Sequence, residues 1–170
     1  LNQMEAKKRI YGMIEFSMAI GGEVGLPQEL EHSLRNAKEA IKERLLEGTG
    51  RLLEGVPKGS GRLKQRELDR YAKRIEHAIE VLDAEEAADA CQELEQDVMQ
   101  IPEICGRELY EVVAVAGNLF AARIGIDSVE EIQQEFVAHY CKQCSKKEQL
   151  FGELERLQTH LIGQVQESRA

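Results

Sequence analysis

Two short stretches bring together side chains that could do chemistry. His139-Tyr140-Cys141-Lys142-Gln143-Cys144 sets two thiols at the C-x-x-C spacing of zinc and dithiol redox sites. Glu108 and Glu111 stand one helical turn apart at the head of an apolar run, where a buried carboxylate needs an arginine or a metal as partner. In a helix, Cys141 and Cys144 point to one side, and His139 lies about 200° from Cys141 at about 100° per residue. Those three groups cannot then ligate one ion. Cys144 shares a seam with Phe136, Tyr140 and Phe151, and Cys141 follows Val137 by one turn, so both thiols read as small core hydrophobes. No second C-x-x-C completes a four-ligand zinc site, because Cys91, Cys105 and His160 are isolated. Ser145 and Glu148 form an S-x-x-E capping box. A helix break there would free both thiols, which keeps a zinc-stabilised helical protein, with Cys141 and Cys144 as ligands, as one alternative.

Other patterns carry less. Glu85, Glu86 and Asp89 have the E-E-x-x-D spacing of a helical Mg²⁺ site, but Glu86, Asp89 and Glu93 fall opposite the apolar seam of their helix and read as solvated. Gly55–Gly61 (GVPKGSG) has Lys58 ahead of Gly59, the reverse of the order that a phosphate loop requires. Glu29-x-x-His32 is a lone match to the di-iron E-x-x-H motif, which must occur twice. His32, His77 and His160 stand without a nucleophile at a useful spacing. Arg62, Arg66, Arg70 and Lys73 recur every three or four residues as a basic stripe. An acidic helix follows it, with eight carboxylates and no basic residue from Glu80 to Asp97. The plainest partner of the stripe is therefore that helix; an acidic protein or RNA surface is the other.

Residues 108–132, ELYEVVAVAGNLFAARIGIDSVEEI, resemble the late helix of all-α MazG-type nucleotide pyrophosphohydrolases, in which E-x-x-D opens a buried helix ending in Gly-Ile-Asp. Gly21–Gly25 (GGEVG) is loosely similar to the family's E-E-V-G-E. The chain departs from that pattern at Gly22 and Leu26, which stand where the family has glutamates, and the paired E-x-x-E is missing. The resemblance implies Mg²⁺ held by Glu108 and Glu111 and a hydrolase acting on nucleoside triphosphates.

The elements that must position these groups are helices throughout, with no strand alternation. The spacing predicts a first helix over about 2–20, with Met4, Tyr11, Ile14 and Met18 on one face, then a break at the glycines of 21–25. A long second helix starts near Pro27, which suits a first helical position, and carries Leu30, Leu34, Ala37, Ile41 and Leu45. It runs into a duplicated RLLEG, Arg44–Gly48 and Arg51–Gly55, whose seven-residue period looks like a heptad seam. Gly48 and Gly50 mark a kink or an end. A Gly-rich linker at 55–61 separates this from helices over about 63–82 and 84–100, with Pro102 as the stop. The helix over about 103–124 is apolar almost all round, as the central helix of a bundle should be. Glu111 on it has little room for exposure. Ser128 and Glu131 cap a final stretch from 129 to about 166, either one bent helix or two.

Composition agrees with one all-α domain over 1–170, a bundle of five or six helices. The 170 residues are 42% hydrophobic and 31% charged, with no Trp and four Phe. The net charge of −9 argues against a general nucleic-acid or anionic-membrane surface. No apolar run reaches membrane-spanning length, and the polar opening LNQMEAKKRI is not a signal peptide. Leu1 in place of an initiator Met reads as a processed or truncated chain. Four cysteines in such a chain read as reduced thiols in a cytoplasm. The expectation is a non-catalytic cytoplasmic helical interaction or regulatory module that self-associates or binds a protein partner. It needs no cofactor, with Mg²⁺ and Zn²⁺ reserved for the two alternatives.

Overall fold

The fold is all-α, and its body is a helical bundle. The computed structural model describes residues 16–61, 64–126 and 129–169. In chain order the elements are β1 (Met18–Ile20), α1 (Leu30–Ala40), α2 (Arg44–Glu47), β2 (Leu52–Glu54), α3 (Gln65–Val81), α4 (Ala84–Met99), α5 (Gly106–Ile124), α6 (Val129–Glu135) and α7 (Lys147–Arg169). Turns of 3₁₀ helix at Pro27–Glu29 and Ile41–Glu43 flank α1, and a π-helical turn, Phe136–Cys141, extends α6. No helix among the described residues is long and apolar enough to cross a membrane.

α3, α4, α7 and α5 pack in a ring, each against two neighbours. The inward positions are Tyr71, Ile75 and Ala78 on α3, and Ala87, Cys91, Leu94 and Val98 on α4, with Leu68, Ile79, Leu82 and Ala84 half-buried against them. Leu109, Val112, Val113, Ala116 and Phe120 face inward on α5, and Phe151, Leu154, Leu161 and Val165 on α7. Leu82 closes α3 in the left-handed conformation, and the Asp83 carboxylate accepts from the Glu85 and Glu86 amides to cap α4. Across the core, the Gln158 amide donates to the Tyr71 hydroxyl at 2.8 Å.

Several expectations are corrected. The helix predicted over about 2–20 falls largely outside the described residues, and where the chain is described Met18–Ile20 is a strand. The long helix predicted from Pro27 through both RLLEG copies is broken into pieces. The first copy is α2, closed by Gly48 at φ +84°; the second is β2, which lies parallel to β1 with Ala19 opposite Leu53. Gly48 and Gly50, where one copy gives way to the next, both take the positive φ that glycine adopts freely. The final stretch is two helices: Cys144, Ser145 and Lys146 leave helical geometry, and α7 starts afresh at Lys147. There the Ser145 amide and hydroxyl both donate to Gln149 Oε1, at 2.9 and 3.0 Å, in place of the expected Glu148. Ser128 of the other capping box lies outside the described residues.

Candidate functional site

The carboxylate chemistry gathers at the N-terminus of α5, a helix end whose first amides need acceptors. Glu43, from the 3₁₀ turn before α2, accepts from the Gly106 amide at 2.8 Å and also from the Arg107 amide. Gly106 allows this approach, because a Cβ there would stand 2.1 Å from the Lys42 carbonyl oxygen. Glu108 turns back to accept from the Cys105 amide at 3.2 Å, completing a capping box. Its remaining acceptor capacity goes to the linker. The Ser60 amide donates to Oε2 and the Ser60 hydroxyl to Oε1, each at 2.9 Å, and the Lys64 ammonium contacts Oε1. The Gly-rich segment 55–61 is thus latched onto the bundle.

Burial alone would raise the Glu108 carboxyl, but Lys64, Ser60 and the Cys105 amide outweigh it and hold it at about 2. Burial pushes Glu43 up instead, only partly offset by its two amide donors and Arg107. Lys64 also donates to the Ser60 hydroxyl at 3.0 Å. A Ser–Lys nucleophile pair requires the amine to accept that proton, whereas here the ammonium is a donor to both hydroxyl and carboxylate. The cluster is built as a clamp.

Glu111 does not join it. Its side chain is 62% exposed, 4.0 Å from Arg107, so the expectation that it is hidden is corrected. α5 is buried on one broad face, while Glu111 and Val115 lie along the other. The two carboxylates that the MazG resemblance assigns to Mg²⁺ therefore occupy different surroundings, one clamped inside and one in solvent.

Cys141 and Cys144 are buried, at 1% and 6% exposure, on the stretch between α6 and α7. Arg44 grips this stretch, donating to the Cys144 carbonyl at 3.1 Å and the Lys142 carbonyl at 2.8 Å. The Tyr110 hydroxyl donates to the Val137 carbonyl at 2.8 Å, which ties the π turn to α5. Burial, then the neighbouring Cys144, pushes the Cys141 thiol up to about 12. His139 is exposed beside Gln143. The helix breaks where a zinc site would need it to, yet both thiols stay in the core. Among the described residues no three His, Cys, Asp or Glu side chains converge as a metal-binding group.

The basic stripe divides. Arg62 lies outside the described residues. Arg70 contacts Asp97 on α4, and Arg66 and Lys73 are exposed. Arg74, outside the stripe's spacing, makes the broader contact: Glu93 at 3.2 Å and Glu86 at 3.5 Å. Glu86 and Glu93 thereby serve α3, while Asp89 is exposed.

The start of the heptad-like seam, with the residues just before it, is the most open apolar surface among the described residues. Leu26, Leu30 and Leu34 are 59%, 58% and 56% exposed, and Met18 and Ile20 on β1 are exposed as well. Five of the seven large hydrophobics exposed among the described residues thus lie within residues 18–34. α1 packs on β1, β2 and its flanking turns, Ser33 bonds to the Gly22 carbonyl, and no α1 residue enters the continuous bundle core. The signal was present in the sequence as a leucine row at spacing four; which side of it would be covered was not. A groove of about 840 Å³ along α6, the π turn and α7 is lined by the apolar Ile132, Phe136 and Leu157 and the charged Glu135, Glu153 and Arg156. Set against known proteins, the chain matches no family model, no curated protein and no solved structure.

Proposed function

We propose that this protein is a non-catalytic helical interaction or regulatory module of the cytoplasm, which engages a protein surface through α1. The observation that supports the reading is the exposed apolar row of Leu30 and Leu34 on a helix held outside the bundle core, continued by Leu26 just before the 3₁₀ turn that leads into it. Exposed apolar surface concentrated in one segment marks an interaction site more often than scattered single residues do. A helix carried on a two-stranded sheet has little cover of its own, because such a sheet is marginal without further packing. The bundle supplies rigidity, and the Glu43 and Glu108 clamp ties the 41–64 segment, and with it the base of α1, to α5. The polar groups of that clamp are used on one another, which suits a structural role.

Site-specific photo-crosslinking in expressing cells tests the reading. Benzoylphenylalanine in place of Leu34 is expected to give a discrete adduct, lost when Leu30→Glu is added. The same probe in place of Glu148, exposed on α7, is expected to give none. No adduct at Leu34, or equal yields at both positions, overturns the proposal.

A further inference from the structure

The charges beside the leucine row name a partner. Taking Leu30 as the origin at about 100° per residue, Leu34 lies at about 40°, Lys38 at about 80° and Glu31 at about 100°. Glu31 and Lys38 therefore share one flank of the row, separated along the axis by about 10 Å at 1.5 Å per residue. Both are exposed; Glu31 pairs with Arg35 at 3.0 Å, with both side chains well solvated. A two-fold axis normal to a pair of side-by-side helices keeps each flank on its own side and reverses its order. A second copy laid antiparallel about a centre near Leu34 thus puts Glu31 beside Lys38 of the partner helix, and Lys38 beside its Glu31. Leu34 meets its own counterpart at the axis, with Leu30 of each copy beyond it.

We propose that α1 pairs antiparallel with α1 of a second copy of this chain, forming a symmetric dimer with Leu30 and Leu34 at its centre. The inference rests on the reading of the α1 face as a docking surface and goes beyond it by fixing occupant and direction. Self-complementarity under a two-fold is what an isologous interface requires, and flanking charges choose partner and orientation in helix pairs. A parallel pair sets each Leu opposite its own counterpart along the whole row and does not bring Glu31 to Lys38.

Light scattering on a sizing column and a charge-swap cycle test it. The wild-type chain is expected to run at twice its monomer mass at micromolar concentration. Glu31→Lys and Lys38→Glu each oppose like charges twice per dimer and should weaken self-association on the order of tenfold. An equimolar mixture of the two restores both attractive pairs and should recover the dimer, as should the double variant. Because both positions are exposed, circular dichroism should show all variants folded. For direction, Leu34→Cys should cross-link to itself under mild copper-catalysed air oxidation while Leu26→Cys does not. A wild-type monomer, swaps without effect, or equal trapping at both cysteines overturns the antiparallel dimer. A monomer whose Leu34 photo-adduct is a different protein, or residues 1–15 of the same chain, removes the second copy; the former leaves the docking reading standing, whereas no adduct of any kind removes that too.

Discussion

Glu108→Gln removes one charge from the clamp at the head of α5 while keeping the side chain's size. The Glu108 side chain is 6% exposed and Lys64 12%, so solvent screens the pair little. Folding lowers the Glu108 carboxyl from 4.5 to about 2. At about 1.4 kcal/mol per unit, that is about 3 kcal/mol of stability near neutral pH, in line with the roughly 3–5 kcal/mol that breaking a buried ion pair costs. The sign follows from the direction of the shift. A depressed carboxyl stabilises fully above its unfolded value, and the contribution drains away as pH falls through 4.5 toward 2. The gap between wild type and Glu108→Gln should therefore be about 3 kcal/mol near pH 7 and less than half that near pH 3. Glu43, whose carboxyl moves the other way, is present in both proteins and cancels. Urea unfolding followed by circular dichroism at the two pH values measures the gap, and a chain of this size should lose roughly 10 °C in Tm at neutral pH. Adding Lys64→Met should recover about 1 kcal/mol or more, because the stranded ammonium goes with it. A gap that stays the same near pH 3, or one under about 0.5 kcal/mol near pH 7, refutes the clamp as the source of this stability.

Gly117→Ala drives a Cβ to 2.2 Å from the Phe136 ring and should cost about 1–3 kcal/mol in thermal or urea unfolding. Gly152→Ala, mid-helix on α7 with nothing within 4 Å of the new methyl, should instead add about 0.5–1 kcal/mol by the same measurement. Asp83→Ala leaves the Glu85 and Glu86 amides at the start of α4 without their side-chain acceptor and should lose about 1 kcal/mol. Because all four cysteines are buried, a thiol-reactive chromogen should label the native protein slowly near neutral pH and completely in denaturant. Fast stoichiometric labelling of Cys141 and Cys144 in the native state, or stoichiometric zinc by elemental analysis of untagged protein, would contradict their placement in the core.

Much of the bundle was legible residue by residue. The spacing of Tyr71 and Ile75, of Ala87, Cys91, Leu94 and Val98, and of Phe151, Leu154 and Leu161 marks the buried faces of α3, α4 and α7, because a period of about 3.6 is a local property of one helix. The thiols of Cys141 and Cys144 were readable as core for the same reason. The candidate site was legible only in fragments. Glu108 was found as a carboxylate needing a cation, but Lys64 lies 44 residues before it, and nothing local announces that pairing. Glu43 carries no spacing signal at all, since its purpose is to meet amides 63 residues further on. Glu111 was misjudged because an apolar helix does not say which of its sides the neighbours leave bare.

The two RLLEG copies draw the boundary between local and tertiary information. By itself the sequence determined that these pentapeptides are amphipathic, that glycines interrupt them, and that helices dominate the chain. Only the tertiary structure decided that Arg44–Glu47 coils while Leu52–Glu54 extends. In the first copy Leu45 enters the bundle core and Arg44 reaches a carbonyl 100 residues away; in the second, β1 offers backbone partners and Leu53 is buried against the sheet's own cover. Intrinsic preference differs by less than about 1 kcal/mol per residue between such states. Burial of a single leucine exceeds that at about 1.5–3 kcal/mol, so the partner chosen by the fold decides the conformation.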